Sequence, residues 1–592
     1  MCGIAGLCCA RGAACDATTL ERMALSLAHR GPDGTRTRLM GSTGFVHTRL
    51  AIVDLAGGAQ PITVGTGTIV ANGEIYNDPS LRAGPLQGET FSTHSDCEPA
   101  LHMWMREGPG FASSLRGMYA IALGEGGQGH QEEVLSRDPF GIKPLYYAER
   151  PQGVAFASEP RALLDSGVVP RAVDPGVRAE LLGLQFTTGR ETIFPGIRRV
   201  LPGETIQIAD GRVLHRHRLS PMPEGPIETI TEDAALARLD RALEDSVQAH
   251  ERADVPFGLF LSGGVDSASV LAVMARLGRT RGAGSLKAWT ASFDARGAAD
   301  ETAQAAHLAS VAGAEHRVLR ITRDMVWAHL PAIVACMDDP AADYAIIPTW
   351  LLAREARREV KVILSGEGGD ELFAGYGRYR RAMKPWWRGG RRMRRRAIFD
   401  GLGILRDDLP GWRRGIDAAE LDARHWSSRL QQAQAVDIAE WLPNDLLLKL
   451  DRCLMAHAVE GRTPLLDPVV AQAVWRLPDS MKVRDGRGKW LLRRWLAGAM
   501  PDARPFAPKQ GFTVPIGAWI AEDGGRLGPL VARQPVIREL AHPERVEALF
   551  HACAGHRTAA AAWSLLFYAL WHRALIEERP VTGNVFDVLG DR

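Results

Sequence analysis

Two stretches in the middle of the chain carry residue types suited to holding phosphates. Leu259-Phe260-Leu261-Ser262-Gly263-Gly264-Val265-Asp266-Ser267 joins a predicted buried strand over 257–261 to a predicted helix over 268–277. Glycines at such a turn let the backbone approach an anion, and the amides opening the next helix point at it. Ser262, Gly263, Gly264 and Ser267 therefore form a candidate cradle, with Asp266 able to hold a divalent cation against phosphates. An ordinary strand-to-helix turn needs one glycine and no aspartate flanked by serines. Further on, Leu364-Ser365-Gly366-Glu367-Gly368-Gly369-Asp370-Glu371-Leu372-Phe373 repeats the design after a predicted strand over 360–364. Turns of this kind, at strand C-terminal ends, converge where open α/β sheets bind ligands. Asp266 and Asp370 are thus expected to face one divalent cation held against phosphates, with Ser365 and Gly366 on the second wall. No Walker A loop is present: Gly486-Arg487-Gly488-Lys489-Trp490 lacks the first glycine and the hydroxyl.

A second chemistry is written at the start, in Met1-Cys2-Gly3-Ile4-Ala5-Gly6. With Met1 removed, a thiol and a free α-amine sit on one residue. A terminal amine titrates near pH 8 and can act as general base for its own side chain. A cysteine in second position is usually accidental, so its surroundings have to decide.

Those surroundings are short alternating segments with turn signals, which predict layered β structure. They include Arg49-Leu50-Ala51-Ile52-Val53-Asp54, Val70-Ala71-Asn72-Gly73-Glu74-Ile75-Tyr76-Asn77, Ser95-Asp96-Cys97-Glu98, Met118-Tyr119-Ala120-Ile121-Ala122 and Arg137-Asp138-Pro139-Phe140-Gly141-Ile142-Lys143-Pro144-Leu145-Tyr146-Tyr147. Strands are expected to continue from 161 to 213, with a linker at 221–226. Gly124-Glu125-Gly126-Gly127-Gln128-Gly129 matches a dinucleotide-binding pattern, but a strand-like run follows it instead of a helix, so a hairpin tip is expected.

On these segments, residues 1–221 resemble a class II glutamine amidotransferase domain, an N-terminal-nucleophile hydrolase of αββα layers. Ser262-Gly263-Gly264-Val265-Asp266-Ser267 resembles the pyrophosphate loop of the ATP pyrophosphatases, which cleave ATP between the α and β phosphates. The two together, over nearly the whole chain, resemble the glutamine-hydrolysing asparagine synthetases, with residues 227–592 as the synthetase domain. The resemblance implies Cys2 as nucleophile and Asn72 and the Gly73 N–H as oxyanion donors. Glutamine is a zwitterion: Arg49 suits its α-carboxylate, and Glu74 and Asp96 suit its α-amine. In the second domain the resemblance implies Ala291 and the Leu261 backbone near adenine, Lys509 at the pyrophosphate, and Glu367 positioned to take a proton from attacking ammonia.

Around these sites the sequence predicts a βαβ alternation: an amphipathic helix over 232–252, a strand over 288–293, a helix from Asp300-Glu301 to 312, and a strand over 316–321. The architecture expected is α+β followed by α/β, a doubly wound parallel sheet with a helical C-terminal part. Leu448 to Asp467 resembles the family's second signature, in which Met455, Glu460 and Arg462 look structural or acceptor-lining. Spacing does not choose among Arg462, Lys509, Asp338 and Glu367 as acceptor contacts. The 385–396 segment, with Trp386, Trp387 and six arginines, reads as a solvated helical face in preference to a nucleic-acid site.

At 592 residues the chain can bury more than one core. With 71 basic and 69 acidic residues it has no general polyanion-binding character. Eight cysteines with no export signal argue against a disulfide framework. Cys8, Cys9 and Cys15 are read as free thiols, and the absence of a Cys-x-x-Cys pair argues against zinc. The apolar run 559–571 falls short of the roughly 20 residues a bilayer requires and reads as a buried helix. No basic region precedes the first apolar patch, so a cytoplasmic protein is expected. Its expected partners are glutamine, ATP, Mg²⁺ and L-aspartate, with a second copy of the chain as a homodimer. Amidation or cyclisation of another carboxylate, and a non-catalytic or nucleic-acid-associated protein that retains the fold, are the alternative readings.

Overall fold

The computed structural model describes residues 2–10, 12–125, 132–281, 286–294, 302–507, 514–553 and 555–591. Its first part is two antiparallel sheets packed face to face. One runs, edge to edge, through Arg198–Arg199, Tyr146–Arg150, Gly153–Ala157, Gly3–Cys9, Thr43–Arg49 and Gly34–Met40. The other runs through Arg212–Arg218, Glu204–Ala209, Glu132–Arg137, Gly117–Glu125, Gly67–Ile75 and Ile62–Val64.

The central strand Gly3–Cys9 is buried along its whole length, and the period of two explains how. Ile4 and Cys8 join Val70, Ala120 and Leu135 between the sheets. Ala5, Leu7 and Cys9 turn the other way onto Leu20 and Met23 of the helix Ala17–Ser26. Asp16 caps that helix by accepting from Thr18 and Thr19 N–H. Behind the second sheet the helix Glu98–Glu107 packs Leu101 and Trp104 near Ile69 and Ile121. The layers are therefore helix, sheet, sheet, helix.

Three segments depart from the β reading. Glu98–Glu107 is a helix, as are Pro160–Asp165 and Pro175–Leu184 within the stretch expected to continue as strands. Each has a proline in its first turn. Proline there removes an N–H that the helix would leave unpaired anyway, so it opens each helix at no cost in hydrogen bonding.

The third sheet is wholly parallel. Its spatial order is Glu315–Ile321, Lys287–Phe293, Phe257–Phe260, Val362–Leu364, Glu460–Arg462, which in chain order is third, second, first, fourth, fifth. The direction of winding reverses between Phe257–Phe260 and Val362–Leu364, which pair Phe257 with Val362 and Leu259 with Leu364. Both glycine loops leave the sheet at that reversal, the place where doubly wound sheets open a crevice. Helices Glu232–His250, Val265–Arg281, Thr302–Ala312 and Ile346–Ala356 are among those that flank it. Asp300 and Glu301, expected to open the third of these, lie outside the described residues. So does the tip of the Gly124–Gly129 pattern beyond Glu125.

The helical C-terminal part includes His556–Leu575, whose Trp563, Leu566 and Trp571 are fully enclosed, and ends in the short helix Val585–Gly590. Among the described residues no helix is long and apolar enough to cross a membrane. The arginine-rich segment differs from its helical reading. Only Trp386–Arg388 forms a turn of 3₁₀ helix, and Gly389 then takes φ +82°, which halts it. Arg394 turns inward, with its guanidinium 4.0 Å from the Trp441 ring centre and 5.0 Å from that of Phe186.

Candidate active site

Cys2 sits at the head of the central strand, 9% exposed. Its N–H donates to Asn72 Oδ1 at 3.0 Å, which turns the amide so that Nδ2 faces away. Nδ2 is buried and has no hydrogen-bond partner among the described residues, which leaves it an available donor. Burial raises the Cys2 thiol, partly opposed by a hydrogen bond to the Leu50 backbone and by Arg49. The next residue must be glycine: Gly73 has φ +149°, and a Cβ there would collide with the Met118 carbonyl.

Arg49 closes one side. Its guanidinium donates to the Asp54 carbonyl at 2.6 Å and the Leu55 carbonyl at 3.1 Å, fixing the turn at the pocket rim. Asp96 lies opposite, buried, accepting from Ile75 N–H at 2.6 Å. Burial pushes its carboxyl up to about 6. Burial also raises Glu74, first of all, with Asp96 adding to the rise and Arg462 opposing it. Cys2, Asn72, Gly73, Glu74, Arg49 and Asp96 are thus gathered around one end of the sheet pair.

The second site is a cavity of about 640 Å³ lined by both glycine loops. Residues 261–267, Ala291, Ser365, Gly366, Glu367 and Asp370 all face it. The loops touch: a Cβ on Gly366 would lie 2.7 Å from Ser267 N. Within the first loop Ser262 and Ser267 share a hydroxyl contact at 3.1 Å, and Gly264 N–H donates to Ser262 Oγ at 3.2 Å. Glu367 keeps 29% of its side chain exposed, with Lys449 Nζ 3.7 Å from Oε1. Burial raises the Glu367 carboxyl and Lys449 opposes that.

Lys489 joins the two aspartates. Its ammonium contacts Asp266 and lies 2.7 Å from Asp370 Oδ1. Burial works against its charge, but the two carboxylates prevail and raise it. The backbone is shaped for this approach, since a Cβ on Gly375 would strike both Asp370 and Lys489. Among the described residues no three His, Cys, Asp or Glu are grouped to hold a metal alone. Two carboxylates that share one ammonium are nonetheless close enough to share one Mg²⁺, a hard cation that takes its remaining oxygens from phosphates.

Sequence reasoning missed Lys489, Arg493 and Lys449, all of which line the cavity. Gly488-Lys489 had been weighed only as a failed Walker A loop; the close-packed glycines on either side of the contact were the available signal. Lys509 lies outside the described residues. Of the acceptor candidates, Glu367 lines the cavity, whereas Asp338 is buried elsewhere, its Oδ1 accepting from Arg452 Nε at 2.6 Å. Arg462 does not line the cavity either, because it reaches the other site, 2.9 Å from Glu74 Oε1.

The two sites are held on one polar junction. Arg30, wholly buried, donates to Cys2 O at 3.1 Å, to Glu159 at 2.6 Å and to both oxygens of Asp451 at 2.8 and 3.1 Å. Asp138 accepts from the N–H groups of Phe140, Ile142 and Lys143, and this presents Lys143 Nζ to the Gly461 carbonyl at 3.0 Å. Arg199 pairs with Asp339 at 2.7 Å.

Comparison with known proteins gives a family for each part of the chain. The asparagine synthase family model matches residues 238–573, and the glutamine amidotransferase domain model matches 1–218. A putative asparagine synthetase [glutamine-hydrolyzing] of Mycobacterium bovis is 32% identical, with 95% of each chain covered. Asparagine synthetase [glutamine-hydrolyzing] 1 of Bacillus subtilis is 31% identical over 95% of this chain and 94% of its own. A solved glutamine phosphoribosylpyrophosphate amidotransferase from B. subtilis aligns at TM-score 0.28 and 17% identity over 54% of this chain and 81% of that one, too slight a likeness to bear on the site.

Proposed function

The chain belongs to the asparagine synthase family and carries a glutamine amidotransferase domain, and on that premise we propose that it converts L-aspartate to L-asparagine with ammonia from glutamine, consuming ATP and releasing AMP, pyrophosphate and glutamate. The observation that carries this reading is the free Asn72 Nδ2 beside Cys2, in the same chain as a cavity where two glycine loops meet.

In the first site the Cys2 α-amine takes the thiol proton, and Sγ bonds to the glutamine side-chain carbonyl carbon. Asn72 Nδ2 and the Gly73 N–H receive the developing oxyanion. The carbon–nitrogen bond breaks, ammonia leaves, and water then cleaves the thioester to glutamate. Arg49 takes the substrate α-carboxylate; Glu74 and Asp96 take its α-ammonium.

In the second site the aspartate side-chain carboxylate attacks the ATP α-phosphorus and pyrophosphate departs. The adenine lies by the Leu261 backbone and Ala291. Ser262, Gly263, Gly264 and Ser267 hold the phosphates from one side and Ser365 and Gly366 from the other, with Lys489 supplying positive charge and Lys509 assigned to the same phosphates. Asp266 and Asp370 would hold Mg²⁺, which would neutralise phosphate charge. Ammonia attacks the activated carbonyl, Glu367 accepts its proton, and AMP leaves. Lys449, which pairs with Asp343 at 3.1 Å, is the cation nearest Glu367 and is assigned to the acceptor's α-carboxylate. The reaction suits the cytoplasm, where glutamine and ATP are supplied.

The test is pyrophosphate release by purified protein with ATP, Mg²⁺ and ammonium across a panel of carboxylic acids. Aspartate is expected to respond. Silence with aspartate and a clear response to another acid would overturn the product and leave the two-site chemistry standing. Cys2→Ala should abolish glutamine use and spare the ammonium reaction; retained glutaminase activity in that variant would overturn the thiol's role.

A further inference from the structure

The pocket assigned to glutamine is not built from the amidotransferase domain alone. The last strand of the parallel sheet, Glu460–Arg462, runs beneath it and is buried at every position. Arg462 is 0% exposed. Most of its guanidinium is already spoken for on its own side: Nε donates to Glu460 Oε1 at 2.6 Å, and Nη1 to the carbonyls of His250 at 2.7 Å and Arg252 at 2.6 Å. Only Nη2 reaches across the junction, to stand 2.9 Å from Glu74 Oε1.

Glu74 depends on that contact. It is 5% exposed and shares its pocket with a second carboxylate, Asp96. Among the described residues Arg462 is the only cation within ion-pair distance of it. Burial and the neighbouring carboxylate push Glu74 toward its neutral form and Arg462 opposes them, and a neutral acid has little attraction for an ammonium group. A guanidinium pinned at three other points also fixes where Glu74 points, because the planar fork leaves one direction free.

Resting on the glutamine-pocket reading above, we propose that Arg462, contributed by the synthetase part of the chain, is a positioning residue of the glutaminase site, holding the Glu74 carboxylate in place to receive the α-ammonium of glutamine. The same residue's carbonyl accepts from Ser365 N–H at 2.9 Å, at the head of the second glycine loop. One residue thus belongs to both sites, its side chain to one and its backbone to the other, so the side chain can be changed without removing the backbone bond.

The experiment compares Arg462→Met and Arg462→Lys in two assays on the full chain: glutamine hydrolysis, and pyrophosphate release driven by ammonium. Arg462→Met is expected to raise the glutamine KM by about tenfold or more, the scale of one close buried ion-pair contact, with a smaller effect on kcat. The ammonium reaction should stay within about twofold of the unaltered chain, and Arg462→Lys should recover much of the KM. In a Glu74→Gln background the same Arg462→Met change should add little, because its target is gone. An unchanged glutamine KM, an equal fall in both assays, or full additivity with Glu74→Gln would overturn the proposal. Should Arg462→Met fail to fold, Arg462→Lys tested against Glu74→Gln decides by the same criterion. Failure of the pocket reading is separately visible as glutamine hydrolysis that survives Cys2→Ala.

Discussion

Lys489 Nζ lies 2.7 Å from Asp370 Oδ1 while also touching Asp266, so the acids of two distant loops meet on one lysine. Its side chain is 6% exposed, at the end of the cavity proposed to hold the phosphates. Lys489→Met should lower acceptor-dependent pyrophosphate release by about a hundredfold or more, the usual loss when one preorganised charge leaves a transition state. Glutamine hydrolysis should be unaffected. Full pyrophosphate release in the variant would mean that Lys489 only holds the empty site closed.

Asn72 offers a cleaner test of the first site, because its two side-chain atoms have separate duties. Oδ1 holds the Cys2 N–H, and Nδ2 is the free donor. Asn72→Asp keeps an acceptor and removes the donor. It should reduce glutaminase kcat by about a hundred- to a thousandfold, roughly 3–4 kcal/mol, with a smaller change in KM. A loss confined to KM would assign Asn72 to binding instead.

Acid should switch off glutamine use. Asp96 is raised to about 6 by burial, with the Ile75 N–H pulling the other way. The shift is upward, so the carboxylate is anionic above about 6 and neutral below it. Glu74, also raised, moves in the same direction. Since the substrate ammonium needs them charged, kcat/KM for glutamine should fall as pH drops through about 6. A profile still flat at about pH 5 would rule out ionised Asp96 as a requirement.

The junction between the sites predicts a stability effect. Arg30 and Asp451 are both buried and joined by two hydrogen bonds. Arg30→Met leaves Asp451 with part of its compensation gone, and should cost about 3–5 kcal/mol in chemical denaturation. Arg30→Met with Asp451→Leu should cost markedly less than the two changes summed, because neither member of the pair is then left buried without the other. Strict additivity would show that the pair is not coupled.

Much of this protein can be read from sequence alone. The chemistry of both sites was legible because it depends on residue type at short range: a second-position cysteine, Asn72-Gly73-Glu74, and two strand–glycine–acid turns. The parallel sheet was legible too, since buried strands alternating with helices leave few arrangements. The helices at Glu98–Glu107, Pro160–Asp165 and Pro175–Leu184 were not, because a proline signals a turn and a helix start equally well until its neighbours are known. Tertiary structure alone decided which charges meet. Lys489 stands 119 residues beyond Asp370 and 223 beyond Asp266, and Arg462 stands 388 beyond Glu74. The partner of a buried charge is chosen by the path of the backbone through space, and local sequence does not encode that path. An isolated lysine or arginine therefore reads as a surface charge until the fold brings its carboxylate to it.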